Sequence, residues 1–261
     1  MKDLIVKKLQ EIEQKENVRI LLAIESGSRA WGFASPDSDY DVRFVYVRRK
    51  EEYICLDQRR DVIELPIDDM LDINGWDVQK AFRLLYKSNP TFFEWAASPI
   101  LYIRTEFLDD LKNILSKYFS VEKSLYHYLN MANKNYELYL KSDTVKAKKY
   151  FYVLRPVLAC WWILHRGTPP PVLFSELVEA ELPKEQKGEV NRLLALKMNS
   201  PEVKQIPAIA SLNAYLATSI ETIQSEVKEI KKSSYVGWDE LNELFQTVLD
   251  KYAPKSEFAM R

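Results

Sequence analysis

Two places in the chain carry residues whose types and spacing could do chemistry. Gly27-Ser28-Arg29-Ala30-Trp31-Gly32 directly follows the apolar run Arg19-Ile20-Leu21-Leu22-Ala23-Ile24. Ten residues beyond Ser28 comes Asp39-Tyr40-Asp41-Val42, leading into Arg43-Phe44-Val45-Tyr46-Val47. Side chains two apart on a strand share a face, so Asp39 and Asp41 would present two carboxylates together, with Val42 and Phe44 turned to the core. Two nearby carboxylates repel unless a cation lies between them, and such a pair suits Mg²⁺. A Gly-Ser turn at a strand end offers N–H groups and a hydroxyl to a phosphate that approaches the backbone closely. A metal bridging carboxylates and triphosphate, with a glycine turn at the phosphate tail, is the layout of nucleotidyl transfer.

Other chemistries fail on register. Gly27 to Gly32 has the spacing of a P-loop, but Phe33-Ala34 stands where Lys-Ser/Thr is required. Asp37, Asp39 and Asp41 imitate the start of an EF-hand loop. Val42 then occupies its glycine position and Arg48 its bidentate glutamate position. A solvated acidic turn before a strand would explain the two aspartates alone, but not the strand and Gly-Ser turn that precede them.

The elements that must position these residues follow from periodicity. Leu4, Ile5, Leu9 and Ile12 make one helical stripe over residues 3–15, and 19–24 reads as a buried strand. Residues 41–47 form a second strand, with 61–67 and 70–73 as further candidates. Helical pattern begins after Asp77 and stops at Asn89-Pro90, and a short helix is expected over 92–97. Beyond about residue 105 the strand signal fades. Segments 106–118, 121–141, 144–165, 174–181, 184–197, 206–231 and 238–252 all read at helical period, and Pro156 should kink the third of them. The fold class is therefore α+β: an N-terminal α/β domain over 1–105, then an α-helical domain over 106–261.

Composition agrees with this division. The 261 residues hold only 6 glycines, against roughly 18 at ordinary usage, so few tight turns are available and helices should dominate. Three of the six (Gly27, Gly32, Gly75) fall in the first 75 residues, near the candidate chemistry. Hydrophobic residues at 47% exclude a disordered chain. Lys+Arg (37) and Asp+Glu (38) nearly balance, so no overall basic field recruits nucleic acid. Cys55 and Cys160 form no CxxC, and His127 and His165 are too few for a histidine metal cage. The start of the chain lacks a signal-peptide core, and no run approaches the 18 or so apolar residues of a membrane span, so a cytoplasmic location without membrane contact is expected.

The string ESGSRAWGFASPDSDYDVRFVYV (25–47) resembles the YcgL-type predicted nucleotidyltransferases, the RNA-repair-associated polymerase β-like family. Its core, Gly27-Ser28 then Asp39-Tyr40-Asp41-Val42, is similar to the signature of the DNA polymerase β nucleotidyltransferase superfamily. DINGWDVQKAFRLLYKSNPTFFEW (72–95) and KKYFYVLRPVLACWW (148–162) continue the likeness. The resemblance implies a polymerase β-like fold for the first domain and a third carboxylate from a neighbouring strand. Asp72, framed by Leu71 and Ile73 before a helix, supplies it best. Asp69 and Asp77 are the alternatives, with Asp77 better placed to cap the helix at Val78.

What the resemblance implies is an enzyme that moves a nucleoside monophosphate from an NTP to an acceptor hydroxyl. Asp39, Asp41 and Asp72 would hold two Mg²⁺ ions (Mn²⁺ as substitute), and Ser28 would bind the β- or γ-phosphate beside Gly27. Arg29, Arg43 and Lys80 are the cations expected to complete the phosphate site. The acceptor implied is an RNA 3′ end; a protein side chain or a small molecule are the alternatives within the class. A non-catalytic nucleotide-binding or antitoxin-like partner of the same fold is the reading from another class, and retention of all three acids argues against it. Among residues outside this set, Trp31 reads first as a packing anchor, and Arg155 needs a partner if buried. Two lysine groups, Lys146/Lys148/Lys149 and Lys228/Lys231/Lys232, are solvated faces unless one faces RNA.

Overall fold

A computed structural model describes residues 1–57, 59–66, 70–199, 205–230 and 236–255. In chain order the elements begin with α1 (Lys2–Glu16), β1 (Arg19–Glu25), α2 (Gly27–Ala30), β2 (Tyr40–Val47), β3 (Val62–Glu64) and β4 (Leu71–Asp77). Next come α3 (Val78–Tyr86), α4 (Pro90–Ala96), β5 (Leu101–Arg104), α5 (Phe107–Leu115), α6 (Val121–Tyr139) and β6 (Thr144–Lys146). The chain ends with α7 (Ala147–Arg166), α8 (Phe174–Glu181), α9 (Lys184–Met198), β7 (Gln205–Pro207), α10 (Ala210–Glu229) and α11 (Asp239–Tyr252). The fold is α+β, and no helix among the described residues is long and apolar enough to cross a membrane. Two compact units emerge. One comprises Met1–Gly27, Asp39–Tyr118 and Tyr235–Arg261, the other Ser28–Ser38 and Phe119–Ser234.

The first unit is built on a mixed sheet of order β3-β4-β2-β1-β5. β1 runs antiparallel to both β2 and β5, while β2 and β4 are parallel. The unbroken apolar run of β1 is explained by its central place: every residue after Arg19 is buried. Ile5, Leu9 and Ile12 of α1 pack with Ile20, Val42, Phe44 and Ile73 on one face, as the helical stripe and strand alternation predict. Strand β4 is longer than its apolar core 70–73 suggests and runs to Asp77, because it is framed by β2 and β3. β5 carries no residue that is fully buried, which is why it escapes a reading based on apolar runs.

Asp77 both ends β4 and caps α3, its Oδ1 accepting the Gln79 N–H at 2.8 Å. Its other oxygen accepts the Tyr53 hydroxyl at 2.9 Å. Burial pushes this carboxyl up to about 6, and burial likewise raises Tyr46 and Tyr53 beside it. Gly75, opposite Phe44 in the parallel register, is required by close approach: a Cβ there would stand 2.1 Å from the Phe44 ring.

The second unit packs α6, α7, α8, α9 and α10 around Leu125, Tyr128, Tyr150, Phe151, Leu154, Leu158 and Leu216. The small antiparallel pair β6 and β7 pins Val145 to Ile206; each strand is three residues long, too short for periodicity to show. α7 continues on both sides of Pro156. The segment Ser28–Ser38 belongs to this unit through Phe33, which packs on Phe151 and Phe174 with ring centroids 4.9 and 5.2 Å away. Of the lysines weighed for RNA, Lys149 lies over the rings of Tyr139 (3.8 Å) and Tyr152 (4.6 Å), and Lys231 and Lys232 lie outside the described residues.

Two outcomes are expected of the first unit. Gly75→Ala should cost roughly 1–3 kcal/mol in urea denaturation, and Phe44→Leu in the same chain should recover part of it, because the clash is with the ring. Asp77 binds its proton more tightly folded than unfolded, so its contribution is complete below pH ~4 and declines as pH rises through about 6. Asp77→Asn removes that dependence. The stability of the variant relative to the parent should therefore rise by about 2 kcal/mol between pH 4 and pH 7.

Candidate functional site

The end of β1 and the start of β2 are locked together by a carboxylate. Glu25 is fully buried, and its Oε1 accepts the backbone N–H of Asp41 at 2.8 Å. Its Oε2 accepts the hydroxyl of Tyr102 on β5. The Ser98 hydroxyl donates to the Glu25 carbonyl at 2.6 Å, and Ser26 N–H donates to the Asp41 carbonyl at 2.8 Å. Gly27 comes next with φ +58°, and a Cβ on it would lie 2.0 Å from Asp41 Oδ2. Gly27 thus meets two demands at once: a left-handed backbone and a surface against which the Asp41 carboxylate lies.

Parallel pairing of β2 and β4 sets Asp41 directly opposite Asp72. Adjacent strands lie about 4.8 Å apart, so the two carboxylates are neighbours and their charges need compensation. Arg43 supplies it. Two residues along β2 and on the same face, it places Nη2 3.1 Å from Asp41 Oδ1 and 2.6 Å from Asp72 Oδ2. Its Nη1 donates to the carbonyls of Val42 (3.0 Å) and Asp72 (2.8 Å). The four N–H groups of its two amino nitrogens are thereby matched to four acceptors. The side chains of Asp41, Asp72 and Arg43 remain 30%, 32% and 19% exposed, open enough for a ligand to reach.

The remaining expected residues fall in several places. Asp39 is exposed and stands immediately before β2 rather than within it. Ser28 and Arg29 fall in the other unit, where the Ser28 carbonyl accepts the Phe33 N–H and Arg29 Nη2 donates to the Ser38 carbonyl at 2.7 Å. Lys80 is a correction: it sits in the first turn of α3, at the end of β4 remote from Asp72, and pairs with Asp61 at 3.0 Å. Five residues of strand separate Asp72 from Asp77, roughly 16 Å, so Lys80 is not brought to the acids. Asp69 lies outside the described residues. Among the described residues, no group of three or more His, Cys, Asp or Glu side chains is arranged to hold a metal ion.

Sequence reasoning passed over Glu25 as the mere end of a strand. Its signal was a carboxylate closing an otherwise apolar run, directly before the Gly-Ser turn. Trp31 packs against the helical core, as its anchor reading holds, and carries the buried Arg155 guanidinium 4.6 Å above its ring. Lys197 of α9 is also buried and donates to Ser35 Oγ at 3.3 Å; its place on one helical stripe with Val190 and Leu193 is the signal that distinguishes it from a surface lysine.

The chain is 45% identical over 253 residues to the uncharacterized protein YcgL of Bacillus subtilis (strain 168), covering 96% of this chain and 97% of that one. Among solved structures it is similar to a nucleotidyltransferase-like protein from Exiguobacterium sibiricum 255-15. That match has 13% identity and a TM-score of 0.33 over 93% of this chain and 80% of the other. The profile of the RNA repair pathway DNA polymerase beta family, RlaP, matches residues 1–247. With 247 of the 261 residues matched, the chain belongs to that RNA repair pathway DNA polymerase beta family.

Proposed function

We propose that the protein is a Mg²⁺-dependent nucleotidyltransferase that moves a nucleoside monophosphate from an NTP to an acceptor hydroxyl. The carrying observation is the Asp41–Asp72 pair, held in register on parallel strands and already compensated by a cation. That pair accepts positive charge, and carboxylate oxygens are the hard donors that Mg²⁺ prefers. Asp41 and Asp72 would hold the ions, joined by Asp39 if the exposed residue before β2 turns toward them; when bound, the ions would neutralise the phosphates and ease deprotonation of the acceptor.

The chain's own residues have distinct tasks in this reading. Glu25 and Gly27 fix Asp41, the first by gripping its N–H and the second by leaving room for its carboxylate. Asp72 takes the proton of the acceptor hydroxyl as its oxygen forms a bond to the α-phosphorus. The bond from that phosphorus to the bridging oxygen breaks, and pyrophosphate leaves. The phosphate-binding tasks of Gly27, Ser28 and Arg29 rest on their position at the end of β1, where the chain carries a turn with φ > 0. The family's description in RNA repair supports an RNA 3′ end as acceptor.

Incubation with each α-labelled NTP, Mg²⁺ and a mixed pool of RNA, protein and metabolites should transfer label to the RNA fraction. Asp41→Asn and Asp72→Asn should fold normally, as judged by circular dichroism, yet lose labelling by about a hundredfold or more. Metal-dependent NTP binding with no transfer to any fraction would instead favour the non-catalytic partner. Gly27→Ala should lose labelling as well, through displacement of Asp41.

A further inference from the structure

We propose that Arg43 is a built-in competitor for the metal site: it holds the Asp41–Asp72 pair closed in the nucleotide-free protein and yields it when phosphate arrives. The inference rests on the nucleotidyltransferase reading above for its purpose, but not for its test. Arg43 occupies the oxygens that a divalent ion would use, Asp41 Oδ1 at 3.1 Å and Asp72 Oδ2 at 2.6 Å. It also anchors on the Val42 and Asp72 carbonyls, so its position is fixed by backbone as well as by charge. A guanidinium keeps its proton in a protein, so Arg43 cannot release the acids by losing its own charge. An anion that offers the guanidinium an equivalent partner draws it away from the acids.

The triphosphate is the anion of the proposed reaction, and planar guanidinium groups pair with phosphate in the same two-pronged way as with carboxylate. Arg43 therefore has two matching partners: the acids without nucleotide, the phosphates with it. Metal and nucleotide should then bind together, because the nucleotide withdraws the cation that blocks the ion. Without nucleotide the same guanidinium stabilises two strands whose opposed carboxylates would otherwise repel.

Mn²⁺ alone, titrated into the nucleotide-free protein by calorimetry or electron paramagnetic resonance, separates this role from a purely structural one. Arg43→Gln should bind Mn²⁺ about tenfold or more tightly than the parent, the effect of removing charge-assisted bonds from the shared oxygens. Asp72→Asn added to it should abolish the gain. Arg43→Lys, which retains the charge without the fork, should fall between the two and serves if the glutamine variant does not fold. Equal Mn²⁺ affinity in the parent and the folded variant would overturn the proposal, as would a gain that survives Asp72→Asn. Turnover is not read in this experiment, so a protein that transfers no nucleotide can still pass it, and an active one can fail it.

Discussion

Two carboxylates placed opposite one another on parallel strands repel, and the first unit is arranged around that fact. Register on β2 and β4 leaves Asp41 and Asp72 as direct neighbours, and a slip of either strand by one residue would turn its acid to the other face. Compensation comes from the same strand, two residues on, where strand geometry returns Arg43 to the acids. Val42 and Phe44, on the opposite face, secure the register by burial. The sequence Asp-Val-Arg-Phe thus encodes a charge cluster on one side and its anchorage on the other.

Around this pair, the neighbouring strands exclude alternatives. Glu25 closes β1 by taking the Asp41 N–H, and Tyr102 of β5 holds the same carboxylate from the far side. Gly27 then turns the chain with φ +58° in contact with Asp41. On β4, Gly75 lets the Phe44 ring lie across its backbone, tightening the β2–β4 pair from the buried face. Glycine, scarce in this chain, appears at both places where a side chain would push the acid-bearing strands apart.

The eleven residues Ser28–Ser38 connect Gly27 to Asp39 yet fold with the helices. Aromatic packing accounts for it: Phe33 is enclosed by Phe151 and Phe174, and the Phe174 N–H donates to the Trp31 carbonyl at 3.0 Å. Arg29 and Lys197 then tie down the turn through Ser38 and Ser35. Chain order suggests one continuous phosphate turn, whereas packing divides it after its glycine.

Much of this protein was legible from its residues because the relevant forces are local. The stripe of α1, the apolar run of β1, the alternation of β2 and the Asp77 cap all follow from period and capping chemistry. They yield the α+β class and most helix positions. Asp39 and Asp41 could be nominated from their spacing behind a strand and Gly-Ser turn, and Asp72 through the family resemblance and its place between Leu71 and Ile73. Pairing of distant segments is a different matter, since strand partners are chosen by burial across the whole unit. Only the fold decided that Asp72 faces Asp41, that Arg43 bridges them, and that Glu25 grips Asp41. It alone decided that Lys80 is carried one strand length away to Asp61. Sequence determined which residues could do the chemistry, through their types and local periods; tertiary structure selected those that meet, because register and long-range packing fix which side chains share a space.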